Sequence, residues 1–209
     1  PRFSDMELNP LTALSPIDGR YARQTDALRD IFSECAFMNA RVRVEVEWLI
    51  SLSEAGFAEL PHLSDHGKAF LRGLADNFSL ADCEAIKEIE KTTNHDVKAV
   101  EYWIKNQVAH DEELKSASEF VHFSCTSEDI NNTSHAIMLK RGREALADYL
   151  QQIHDTIAGF AHQWAEIPML SRTHGQTASP TTVGKEFANV AVRLERVIEA
   201  IRAVKIYAK

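Results

Sequence analysis

The chain has 209 residues, 44% of them hydrophobic and 26% charged, which is enough apolar content for a substantial core in an ordinary soluble protein. A formal net charge of -8 excludes a general surface for nucleic acid or anionic membrane, since both are drawn by an excess of Lys and Arg, but it leaves room for a local basic pocket that takes a small anion. Cys35, Cys83 and Cys125 are odd in number, far apart and without a CxxC pair, so neither a disulfide framework nor a cysteine-rich metal site is suggested and a reducing cytosol fits best.

No apolar run approaches the ~20 residues of a membrane span, and no charged start leads into an apolar stretch, so nothing directs the chain across or into a membrane. Residues 1–5, ahead of Met6, read as a cloning scar. Residues 11–21, LTALSPIDGRY, carry Ser-Pro and Asp-Gly pairs and predict an irregular lead-in. Arg20 and Tyr21 offer a positive fork and a phenol suited to a phosphate and a sugar or base, although from composition alone a surface Arg beside a half-buried Tyr is the first reading.

Over residues 26–53, Leu28, Ile31, Phe32, Cys35, Val42, Val46, Leu49 and Leu52 recur near helical periodicity and predict one core-facing helix. Gly56 and Pro61 bracket its exit, Ser64 can cap a second helix to about Asn77, and a third is expected over 80–90. Trp48 and Phe70 read as core aromatics. The run KTTNHDV at 91–97 precedes another helical pattern. Thr93 and Asp96 have capping-box spacing, which accounts for Thr93, Asn94 and Asp96 without needing His95. A helix start also attracts anions, so capping and ligand binding are both open there.

Residues 123–132, FSCTSEDINN, repeat the spacing at Thr126 and Asp129. The helix they open carries a heptad seam through Leu139, Leu146, Leu150, Ile153, Ile157, Phe160 and Trp164; over 127–165 it would measure ~60 Å and need a bundle to be stable. Ser127 lacks a GxSxG setting and is not read as a nucleophile. Ile167-Pro168 ends that helix, SRTHGQ at 171–176 forms a polar loop, and Ser179-Pro180 predicts the next helix start. A second seam then runs from Val183 through Phe187, Val190, Leu194, Val197, Ile201, Val204 and Ala208, and is expected to stop in mid-helix at Lys209. The fold class expected is all-α: a small N-terminal helical domain over 1–112, then the first long helices of a central bundle over 113–209. Exposed seams would favour self-association.

The nine histidines show no HExxH spacing, and no P-loop or GxGxxG occurs among eight glycines, so neither a metal nor a cofactor is implied. What remains is three polar clusters near helix starts: Asn94-His95-Asp96, Thr126-Ser127 and Thr173-His174. Two imidazoles, several hydroxyls and free amides suit a small multiply anionic substrate and proton transfer near neutral pH.

LSPIDGRY, TTNHDVKAVEY, FVHFSCTSEDINN and LSRTHGQTASPTTVGKE, in this order, closely resemble the adenylosuccinate lyases of the fumarase/aspartase superfamily. The resemblance implies a cytoplasmic lyase of purine biosynthesis, homotetrameric at full length, whose active sites combine several subunits. It would cleave fumarate from succinyl-AMP and from succinylaminoimidazole carboxamide ribotide. By match to the family motifs, His174 is the general acid and His95 assists charge balance. Arg20, Tyr21, Asn94, His95 and Asp96 contact the nucleotide, Thr126 and Ser127 the succinyl carboxylate or nearby atoms, and Thr173 and Gln176 flank the acid as substrate contacts. The family often has proline at the position of Thr177. Its catalytic base sits on a loop expected beyond Lys209, which implies an N-terminal fragment that is inactive alone. Another N-succinyl lyase, or a helical module whose caps are only caps, are the alternatives.

Overall fold

The computed structural model describes residues 9–57 and 59–208. The scar expected at 1–5 and the chain end at Lys209 fall outside these residues. Two compact units are present, the first reaching Met138 and the second spanning Leu139–Ile206.

The first unit opens with turns over 9–21 and a 3-10 segment, Ala22–Leu28, followed by α1 (Arg29–Phe32) and α2 (Glu34–Glu54). The single helix expected over 26–53 is therefore broken at Ser33. Its backbone turns extended (φ -69°, ψ 163°) and its hydroxyl accepts from the Ala36 amide, so a new helix starts there with its own cap. Helices α3 (Asp65–Asp76) and α4 (Leu80–Thr93) follow, the former capped by Ser64 as its sequence predicts. Then come α5 (Asp96–Val108) and the short α6 (Glu112–Ala117), which the apolar pattern did not announce.

Helix α2 is the axis of the core. Val42, Val46, Leu49 and Ile50 are buried against Leu71, Ile86, Val100, Trp103, Ile104 and Leu114 from the helices around it. Phe70, expected in the core, is instead 37% exposed, because Leu71 and Ala75 take the inward face of α3. Trp48 is half-buried and donates its indole N–H to the Phe123 carbonyl at 2.8 Å. Cys35 and Cys83, read as unpaired from their distance in sequence, form a disulfide between α2 and α4, with Cα atoms 5.7 Å apart. Their separation of 48 residues hides a packing contact that only the folded pair of helices reveals.

Helix α7 (Ser127–Gln163) begins in the first unit, and its residues from Leu139 onward belong to the second. Its 37 residues correspond to about 55 Å. The second unit continues with β1 (Pro168–Thr173), β2 (Gln176–Thr182) and α8 (Val183–Ala203). Among the described residues the all-helical expectation holds for the regular elements except this antiparallel hairpin. Ser179 and Pro180 do not start α8; they lie in β2, with Pro180 opposite Leu170. Thr182 is the cap, its hydroxyl accepting from the Lys185 amide at 3.1 Å. The pairing with β1 extends the chain past the Ser-Pro signal before a helix can form.

Gly184 explains how α7 and α8 come together. A Cβ built there would meet the Ala161 carbonyl oxygen and the Ala165 backbone at distances no side chain tolerates, and the Gly184 amide donates to the Trp164 carbonyl at 2.9 Å. Phe160, Trp164 and Phe187 then cluster, the first two stacked with centroids 4.7 Å apart. Helix α8 stops at Ala203 instead of running to the chain end: Val204 is extended (φ -60°, ψ 120°) and its carbonyl accepts from Arg143 of α7. Seam residues Leu139, Leu146, Ile153, Val190 and Val197 remain about half exposed.

Candidate functional site

Asn94 closes α4 in a left-handed conformation (φ 50°, ψ 30°), which asparagine tolerates better than most residues. The chain then turns extended at His95 (φ -151°, ψ 117°), and His95 itself is the cap of α5, its Nδ1 accepting from the Lys98 amide at 3.2 Å. This corrects the Thr93–Asp96 capping box. Thr93 ends α4 and its hydroxyl donates to the His95 carbonyl at 3.1 Å, while Asp96 is already the first residue of α5. With Nδ1 accepting, the neutral imidazole carries its proton on Nε2. That nitrogen lies 3.3 Å from the Ser127 hydroxyl oxygen, so the structure brings the Asn94-His95-Asp96 and Thr126-Ser127 clusters into one polar surface.

The Asp96 carboxylate accepts from its neighbour Val97 and from Arg41, at 2.9 and 2.5 Å. Burial raises its pKa, but the Val97 amide and the Arg41 charge outweigh this and hold it below the usual carboxylate range. At the start of α7 the Asp129 carboxylate accepts from both the amide and the hydroxyl of Thr126, at 2.8 and 3.0 Å, as the capping spacing predicts.

The segment that delivers Thr126 and Ser127 has two left-handed non-glycine residues, His122 (φ 63°) and Ser124 (φ 60°). It is anchored by the Trp48 bond to Phe123 and by His122 Nδ1, 2.5 Å from Glu45 Oε1. Glu45 of α2 is fully buried, and its other oxygen has no hydrogen-bond partner among the described residues. The bond to Glu45 raises the His122 pKa despite the opposing effect of burial. Burial chiefly, then Glu45 and Asp129, pushes the Cys125 thiol up to about 11, which makes it a poor nucleophile at neutral pH.

Arg20 and Tyr21 lie in the exposed lead-in, the guanidinium carbon 4.7 Å from the centre of the phenol ring. In the second unit Thr173 pairs with Gln176 across a two-residue hairpin turn formed by His174 (φ 49°) and Gly175 (φ 75°). Two successive positive φ values are the signature of a type I′ turn, ordinarily filled by Asn-Gly or Gly-Gly. A histidine held there pays a conformational cost that the turn itself does not require. Thr173, His174 and Gln176 are all exposed, and the His174 ring has no hydrogen-bond partner among the described residues.

Arg41, Glu45 and His122 escaped the sequence reading. The signal was available: Arg41 and Glu45 fall three residues after Met38 and Val42, on the buried face of α2, where charged residues are rare without a partner. Among the described residues no group of three or more His, Cys, Asp or Glu is placed to hold a metal ion, and no helix is long and apolar enough to cross a membrane.

The chain is 53% identical over 206 residues to adenylosuccinate lyase of Vibrio cholerae serotype O1 and 52% identical over 206 residues to that of Escherichia coli (strain K12). In both cases the match covers 98% of this chain and 45% of the relative, so the chain spans a little under half the length of these proteins. Its fold is similar to that of a fumarate lyase from Mesorhizobium sp. BNC1, with a TM-score of 0.66 at 19% identity over 85% of this chain and 39% of that one. Because residues 19–208 also match the model of the Lyase family, the chain belongs to that family.

Proposed function

We propose that the full-length protein is an adenylosuccinate lyase of purine nucleotide biosynthesis, which eliminates fumarate from succinyl-AMP and from succinylaminoimidazole carboxamide ribotide. The observation that carries this reading is the identity of 53% and 52%, over 98% of the chain, to relatives that bear that name. In the reaction a base removes a proton from the succinyl carbon beside a carboxylate. The carbon–nitrogen bond then breaks, its electron pair leaves with nitrogen, and an acid protonates that nitrogen.

His174 is assigned the role of acid. Its exposed ring at the hairpin tip is free to meet a ligand, and a strained turn at a histidine is a reason to look for chemistry there. His95 offers a donor at Nε2 to substrate oxygens and assists charge balance, with Asn94 and Asp96 as further nucleotide contacts. Thr126 and Ser127 receive the succinyl carboxylate at the start of α7, where free amides and the helix dipole favour an anion. Arg20 and Tyr21 contact the nucleotide, and Thr173 and Gln176 flank the acid. The proton-abstracting base is assigned to the portion of the relatives' length that this chain does not span, so the chain alone is expected to be inactive. The exposed apolar seams of α7 and α8 support a homotetramer. A cytoplasmic compartment rests on the purine-biosynthesis reading alone, because the Cys35–Cys83 disulfide removes the cysteine-based argument for a reducing one.

Assaying the full-length protein on succinyl-AMP and argininosuccinate side by side tests the proposal. Cleavage of the first alone is expected. Preference for argininosuccinate would move the protein to a sister activity, and turnover by the 209-residue chain alone would overturn the assignment of the base.

A further inference from the structure

Arg41 has no role in the reading above, yet it is the buried cation beneath the His95 cluster. Its side chain is 4% exposed. Nη2 donates to Asp96 at 2.5 Å, Nε donates to Asn131 at 2.8 Å, and the guanidinium carbon sits 3.9 Å from the centre of the Phe37 ring, which stacks in turn on His135. Three helices therefore meet on one planar group: α2 through Arg41 and Phe37, α5 through its first residue, and α7 through Asn131, with His135 reaching it only by way of the Phe37 ring. Asp96 directly follows His95, and Asn131 lies four residues, or one helical turn, after Ser127. Each end of the His95–Ser127 contact is thus one step from an Arg41 partner.

Cohesion between helices does not call for this arrangement, because apolar residues of similar volume usually hold helices together at least as well as a buried charge. A guanidinium adds rigid geometry. Its donors are fixed in one plane, so bonds to two elements set both their separation and their orientation, which a lysine with a single flexible ammonium cannot do. It also balances the Asp96 charge, which would otherwise repel an anionic substrate from the same surface.

We infer that Arg41 is a positioning residue, which fixes the start of α5 against the start of α7 so that the His95 imidazole and the Ser127 hydroxyl act as one substrate-binding surface. This rests on the assignment of His95 and Ser127 to substrate binding. The test uses full-length protein carrying Arg41→Lys, which keeps the buried cation but loses the fork, and Asn131→Ala, which unties α7 without touching the buried charge. Two quantities are read: KM and kcat for succinyl-AMP, and the rate at which diethylpyrocarbonate modifies His95, resolved by peptide mass mapping with exposed His66 as internal reference.

Both variants are expected to raise KM about tenfold, the scale of one lost hydrogen bond to a charged group, with kcat much less affected, and to change the His95 modification rate relative to His66. Folded variants with wild-type KM and an unchanged His95 rate would overturn the inference. If the wild-type protein fails to cleave succinyl-AMP, the functional reading falls, and the His95 rate alone then decides: a changed rate supports positioning by Arg41 and an unchanged rate overturns it.

Discussion

The His95 surface and the His174 hairpin each carry a histidine beside a left-handed backbone, but they are held in different ways. His95 caps α5, contacts Ser127 from a helix 32 residues further on, and rests on the Asp96–Arg41–Asn131 network. His174 stands at a two-residue turn whose shape is set by the hairpin alone. The first arrangement depends on tertiary packing and the second on local turn chemistry, so substitutions should separate geometry from chemistry differently in the two.

The largest effect is expected at His174. Asparagine tolerates the left-handed turn, so His174→Asn in the full-length protein should lower kcat by about 10²–10⁴-fold, the usual contribution of a general acid, while leaving thermal stability nearly unchanged. Unchanged turnover in an intact assembly would remove the catalytic assignment and favour a helical module whose caps are only caps. Glu45→Ala tests the opposite regime. Removing one member of the buried Glu45–His122 pair should destabilise the first unit by about 3–5 kcal/mol, read from urea denaturation, because the remaining partner loses its compensation. A loss below about 1 kcal/mol would indicate that the pair is not formed in solution.

The same pair predicts a pH dependence. The His122 pKa is raised in the folded state, so the stabilisation is fully present below its ordinary value of 6.5 and is lost as pH rises through the folded value. Melting temperatures should therefore fall from about pH 6.5 upward more steeply in the wild type than in His122→Gln, and parallel curves would contradict it. The smallest effect concerns the hairpin's exit. Thr182→Ala should cost about 1 kcal/mol through loss of the α8 cap, whereas Ser179→Ala, at the position the sequence favoured, should cost much less.

Local rules made much of the fold legible. Ser64 caps α3, Thr126 and Asp129 cap α7, and the seven-residue seams of α7 and α8 announce long helices because helical periodicity and capping chemistry act within a few residues. The candidate residues could also be named from their motifs. Three kinds of feature could not. The Ser179-Pro180 start signal was overridden by strand pairing, the Thr93 cap by a histidine whose ring proved the better-placed acceptor, and the Cys35–Cys83 disulfide joins residues 48 positions apart.

What the sequence by itself determined is the helical class and the caps of α3 and α7, and it named candidate residues for binding an anion and moving a proton, since each follows from side-chain chemistry and near neighbours. Only the tertiary structure decided that Arg41 and Glu45 are buried, that His95 meets Ser127, and that SRTHGQ folds as a hairpin. Those outcomes depend on distant segments sharing one low-dielectric interior or one strand ladder, where a charge must find its partner and an extended segment its opposite strand.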